Sequence, residues 1–112
     1  MALLDDYLKD LAPLVNLDCG SHNPAGAAEI MKGYFDSIGF TTELVDLGPE
    51  VGHGLIARNK PDADHIDVLL NGHLDTVFPD GTAAKRPLSI DGDHAHGPGC
   101  SDCKGGVLAA YW

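Results

Sequence analysis

The sequence predicts an α/β domain. Three observations carry that expectation. Apolar residues recur at three- and four-residue spacing near the N-terminus, short apolar runs bounded by turn residues fill the middle, and a helix-permissive run closes the chain. The order is helix, helix, several strands, helix, which suits helices layered against a sheet.

Leu4, Tyr7, Leu8, Leu11, Leu14 and Val15 fall on one helical face, with Asp5, Asp6, Lys9 and Asp10 opposite. Pro13 is expected to kink this helix or to end its first part near Ala12. Leu17 to Pro24 is a loop of small and polar residues. A second helix is predicted from Ala25 to Ile38, with Ala28, Ile30, Met31, Tyr34 and Phe35 on its apolar side. Gly39 is placed to end it. Phe40 to Leu47 and Gly54 to Arg58 read as short strands, and Asn59 to Asp64 as a polar turn. Ile66 to Leu70 is a compact apolar run, predicted to be a buried strand. A turn-rich loop follows from Phe78 to Pro87, then a hairpin from Leu88 to His96 around Asp91-Gly92. Gly97-Pro98-Gly99 forms a corner before the final helix. From Val107 to Trp112 there is no Gly or Pro stop and no basic last turn, so the chain is expected to stop inside an element.

A chain of 112 residues fits one domain with a modest core. Its 44% hydrophobic and 21% charged content is globular. The net charge of −10, from 17 acidic residues against 7 Lys plus Arg, argues against a nucleic-acid or anionic-membrane surface. No apolar run approaches the roughly 20 residues of a membrane span. The start, Met-Ala-Leu-Leu-Asp-Asp, lacks the basic segment and cleavage site of a secretory signal, so a cytoplasmic location is expected. Three cysteines, an odd number, do not suggest a disulfide framework.

Two segments hold residues suited to chemistry. His73-Leu74-Asp75 lies at the end of the predicted buried strand, the place where α/β sheets bind ligands. Alternate residues of an extended segment share a face, so Asp75 is placed to fix the ring of a metal-binding His73. The plainer reading is a loop histidine beside a helix-capping aspartate. In Gly97-Pro98-Gly99-Cys100-Ser101-Asp102-Cys103-Lys104-Gly105-Gly106, Asp102 is either an N-cap of the last helix or a metal ligand able to bridge two cations. Cys100 and Cys103 form a CxxC at a helix start, a setting that lowers a thiol pKa. They read as a redox pair, as a structural zinc site with His94 and His96, or as small residues flanking a functional aspartate. His22, His53 and His65 read as surface histidines. A non-catalytic interaction domain is a further alternative.

Leu69 to Val77, Ser89-Ile90-Asp91-Gly92-Asp93 and Gly97 to Gly106 together resemble the signature of a family of zinc hydrolases. That family includes glutamate carboxypeptidase, aminoacylase, acetylornithine deacetylase and succinyl-diaminopimelate desuccinylase. The likeness is strongest to the glutamate carboxypeptidase branch. It extends upstream through Leu14-Val15-Asn16-Leu17 and Ile38-Gly39-Phe40, so it covers nearly the whole chain. It implies that residues 1–112 are the N-terminal portion of a layered α/β/α zinc-peptidase catalytic domain with a mixed central sheet, truncated here and without its dimerisation domain. His73 would be a terminal ligand to one of two zinc ions, Asp102 would bridge both, and Asp75 would orient His73 or tune the general base. Lys104, Gly105 and Gly106 would shape the start of the helix presenting Asp102. The implied reaction cleaves a peptide or N-acyl amide bond of a small carboxylate-bearing substrate, in a full-length protein resembling a homodimer. Cys100 and Cys103 depart from the family pattern. The family's paired glutamates, its next acidic ligand and its last histidine would lie beyond Trp112, so weak zinc binding and no hydrolysis are expected of these residues alone.

Overall fold

Leu11, Leu14 and Val15 are at most 3% exposed and form the buried stripe of helix α1, Ala2–Val15. The structure is a computed structural model and describes residues 2–20 and 25–112. The end of the expected loop from Leu17 to Pro24, and the reading of His22, therefore lie outside the described residues. Pro13 does not end α1. The helix continues to Val15, and the Asn16 amide still donates to the Ala12 carbonyl at 2.9 Å. A proline this close to the end removes one helical hydrogen bond, and full burial of Leu14 and Val15 outweighs that loss.

Helix α2, Ala25–Ser37, ends one residue before the predicted Ile38. Gly39 takes φ +86°, and the Phe40 and Gly39 amides donate to Phe35 and Asp36 carbonyls at 3.1 Å each. This is a Schellman close, which needs the left-handed residue that glycine supplies. Strands β1, Thr41–Asp46, and β2, His53–Arg58, form an antiparallel hairpin running in register from Thr41 opposite Arg58 to Asp46 opposite His53. The hairpin packs on α2. The core between the helices holds Leu11, Leu14, Val15, Cys19, Ala27, Met31 and Leu108. Tyr34 stacks on Tyr111 at 5.3 Å and docks helix α4, Gly105–Tyr111, against α2.

The predicted loop from Phe78 to Pro87 contains a short helix, α3, Thr82–Lys85. Strands β3, Ser89–Asp91, and β4, His94–His96, form the expected second hairpin, which closes over Gly92 and Asp93. Ile66 to Leu70 corrects the sequence reading. The segment is in no strand, and Ile66, Val68, Leu69 and Leu70 are 66–78% exposed. An apolar run signals a demand for burial, but a buried strand also needs paired edges and covered faces. No described residue supplies them here. The strands accordingly form two separate two-stranded antiparallel sheets, with one parallel bridge between Gly20 and Thr76. The content is α/β, and the strands do not join in one mixed sheet among the described residues. No described helix is long and apolar enough to cross a membrane.

Candidate metal centre

The end of α1 and the residues after it anchor the segments that build the site. The Cys19 carbonyl accepts the Thr76 amide at 2.6 Å, just after His73 and Asp75. Asn16 Oδ1 accepts the Leu88 amide at 2.7 Å. The Asp18 carboxylate accepts the Gly81 and Ala83 amides at 2.8 and 3.1 Å and so caps α3 from a distant part of the chain. Those two amides hold the Asp18 carboxyl below its usual range. Lys104 is fully buried, and its ammonium donates to the Leu14 and Leu17 carbonyls at 2.6 and 3.3 Å. Burial lowers its pKa, opposed by Cys19, Asp18 and Cys100 nearby. No buried side-chain nitrogen or oxygen among the described residues lacks a partner.

Two glycines permit the close turn around Asp102. Gly99 has φ +81°, and a side chain there would meet Thr76 at 3.0 Å and Lys104 at 3.1 Å. At Gly105 a Cβ would collide with the Cys100 carbonyl oxygen.

The His73 ring lies between two aspartates. Nε2 is 2.8 Å from Asp102 Oδ1, and Nδ1 is 3.0 Å from the Asp75 carbonyl oxygen and 3.3 Å from Asp75 Oδ1. With an acceptor at each nitrogen the imidazolium is favoured, so the His73 pKa is raised, first by the Asp102 hydrogen bond and then by the Asp75 carbonyl. Asp102 is not an N-cap. Its backbone is extended within the turn Cys100–Lys104, Lys104 occupies the position before α4, and no side chain caps that helix. The Asp102 carboxylate faces His73 instead. The Asp102–Cys103 peptide is cis. Cys103 Sγ donates to the His73 carbonyl oxygen at 3.1 Å. Donor atoms of His73, Asp102 and Cys103 all lie within 4.8 Å of one another, the one such group of three among the described residues. His73 and Asp102 line a cleft of about 280 Å³ whose wall also includes Asp75, Thr76, Phe78 and Gly99.

An imidazole nitrogen, a carboxylate oxygen and a thiol sulfur this near one another are donors of the types zinc takes, in number enough for three of its usual four positions. The alternative zinc site on Cys100, Cys103, His94 and His96 is not assembled. Cys103 turns to His73, while His94 pairs with Asp93 at 2.7 Å on an exposed hairpin. All three cysteines are free, and burial pushes the Cys100 thiol pKa up, the opposite of an activated redox thiol. His53 is exposed, and His65 lies 3.3 Å from exposed Asp67.

Sequence reasoning pointed to His73, Asp75 and Asp102, and the fold brings all three together. It read Cys103 first as a small residue flanking Asp102, with a CxxC pairing to Cys100 as the alternative, and did not place its sulfur beside His73. Adjacency to Asp102 was the available signal. The anchoring by Asn16 and Asp18 had none, because it joins residues far apart in sequence.

No protein-family model matches the chain. Three curated relatives do. Carboxypeptidase G2 of Pseudomonas sp. (strain RS-16) is 35% identical over 103 residues, covering 88% of this chain and 25% of the relative. A peptidase M20 domain-containing protein of Schizosaccharomyces pombe is 33% identical over 98 residues, covering 86% of this chain and 23% of the relative. Succinyl-diaminopimelate desuccinylase of Gluconobacter oxydans is 33% identical over 95 residues, covering 81% of this chain and 25% of the relative. By name these are hydrolases, two of them peptidases and one a desuccinylase. Over the length it shares with them, the chain belongs to the M20 peptidase family. It spans about a quarter of the length of these relatives.

Proposed function

We propose that this chain forms the N-terminal part of the layered α/β/α catalytic domain of a dizinc hydrolase that cleaves a peptide or N-acyl amide bond of a small carboxylate-bearing substrate. The observation that carries this reading is the 2.8 Å approach of His73 Nε2 to Asp102 Oδ1, two residues 29 apart in sequence. His73 would be the terminal ligand to one zinc, Asp102 would hold both, and Asp75 would aim the His73 ring.

The chain's own groups act as follows. The Asp75 carbonyl and carboxylate accept from Nδ1, which leaves Nε2 as the ligand atom once its proton departs. The Asp102 carboxylate has a second oxygen available for a second cation. Zinc held there would supply acidification of a water and polarisation of the scissile carbonyl. A firm site wants about four donors per ion, so His73 and Asp102 alone hold zinc weakly and the chain by itself does not hydrolyse its substrate. In this reading the complete protein would be a cytoplasmic enzyme and a homodimer, with neither nucleic acid nor membrane as a partner.

Zinc titration by calorimetry tests the site. Binding should be measurable in the unsubstituted chain and fall about tenfold or more in His73→Ala and in Asp102→Asn. Zinc binding unchanged in both variants overturns the assignment. Chelator-sensitive peptidase turnover by the pure 112-residue chain overturns the proposed inactivity.

A further inference from the structure

Cys103 is left over by the site described above. It belongs neither to the hydrolase pattern nor to a redox pair with Cys100, yet its sulfur lies against the His73 backbone. We propose that the Cys103 thiolate is a third metal donor beside His73 and Asp102, giving this centre a mixed nitrogen, oxygen and sulfur ligand set selective for thiophilic divalent cations. The proposal rests on the reading of His73 and Asp102 as ligands.

The geometry supports it. The His73 nitrogen, an Asp102 oxygen and Cys103 Sγ lie within 4.8 Å of one another. In a tetrahedral zinc site, bond lengths near 2.0–2.3 Å place neighbouring donors roughly 3.3–3.8 Å apart. Side-chain shifts of about an ångström close the group onto one ion. His73 and Asp102 are exposed enough to make such shifts, at 49% and 87%. Gly72 lets the His73 segment pack close to Val107 and Cys103, since a Cβ there would meet Val107 Cγ2 at 2.7 Å and Cys103 Sγ at 3.8 Å.

The exchange balances simply. The S–H bond breaks, its proton goes to solvent, and the sulfur lone pair forms the bond to the metal. The hydrogen bond to the His73 carbonyl is given up in the process. A soft thiolate raises affinity for zinc, cobalt and cadmium and leaves magnesium and manganese weakly bound. Oxidation or alkylation of Cys103 therefore removes a donor from the centre without touching His73 or Asp102.

Cobalt(II) is the probe, added to the reduced 112-residue chain without oxygen. The expected result is a near-ultraviolet sulfur-to-cobalt charge-transfer band. Cys103→Ser should abolish that band and weaken cobalt binding about ten- to hundredfold, while weaker visible absorption from the remaining ligands persists. Cys100→Ser should keep the band. Cys103→Ala repeats the measurement if circular dichroism finds the serine variant unfolded. A band that survives in Cys103→Ser and Cys103→Ala, or disappears in Cys100→Ser, overturns the proposal. Cobalt bound through His73 with no charge-transfer band overturns it and leaves the reading of His73 and Asp102 standing. Binding that is absent, or indifferent to His73→Ala, overturns both.

Discussion

The Lys104 ammonium donates to the Leu14 carbonyl at 2.6 Å, joining residues 90 apart in sequence. A second bond reaches Leu17 at 3.3 Å, so one cation serves carbonyls at and just beyond the end of α1. Positive charge at a helix C-terminus is favourable, and here it also fixes the residue two places after Asp102. Lys104→Met keeps most of the stem's volume and removes a buried charge, but it leaves both carbonyls without that donor. The unsatisfied acceptors outweigh the relieved desolvation, and the expected net loss is about 1–2 kcal/mol, measured by urea unfolding. Because α1 and the Asp102 turn then separate, zinc affinity should fall with stability.

Asp18 gives the fold an acid-sensitive contact. Its pKa is lowered from 3.8 by the Gly81 and Ala83 amides. A carboxyl lowered in the folded state adds stability that is fully present above the unfolded pKa and is lost as pH falls through the folded one. The melting temperature of Asp18→Ala should therefore lie below that of the parent at neutral pH. The gap should close as pH is taken well below 3.8. Asp36, lowered by Lys32 and Thr42, titrates in the same window in both proteins, so the comparison isolates Asp18. A gap independent of pH would assign the loss to packing instead of the cap.

Glycine substitutions should act with opposite signs at two positions. Gly99→Ala forces a side chain into φ +81° and against Thr76 and Lys104. The expected loss is about 1–2 kcal/mol, with weaker zinc binding because the Asp102 turn moves. At Gly33, within α2, a Cβ meets nothing within 4 Å and φ is ordinary. Gly33→Ala should stabilise by about 0.5–1 kcal/mol and leave zinc binding unchanged. Chemical denaturation of the two variants side by side checks both signs.

Local patterns made much of this fold legible. The apolar spacing from Leu4 to Val15 predicts α1, and Gly39 predicts the end of α2 within a residue. Asp91-Gly92 marks the second hairpin. His73, Asp75 and Asp102 were readable as candidates because each sits in a short motif whose residue types suit metal chemistry. Tertiary effects were not legible. Pro13 reads as a break until the burial of Leu14 and Val15 is known. Asp102 reads equally as a cap or a ligand until its extended backbone turns the carboxylate to His73. The run from Ile66 to Leu70 encodes a wish for burial but no partner.

That run also sets how the chain should behave in solution. Ile66, Val68 and Leu70 alternate in sequence along a segment that belongs to no strand, with exposures of 69%, 73% and 66%. Unpaired backbone groups flanked by exposed apolar side chains are a template for pairing with another chain. At millimolar concentration the 112-residue protein should therefore self-associate, by light scattering coupled to size exclusion. Val68→Lys with Leu70→Lys should shift it toward monomer, since a charged edge resists pairing. The net charge of −10 opposes association as well, so raising salt should promote it in the parent by screening that repulsion. The doubly substituted chain should respond less. Equal association of both proteins at every salt concentration would place the contact elsewhere, with the exposed Leu3 and Leu4 of α1 the next surface to substitute.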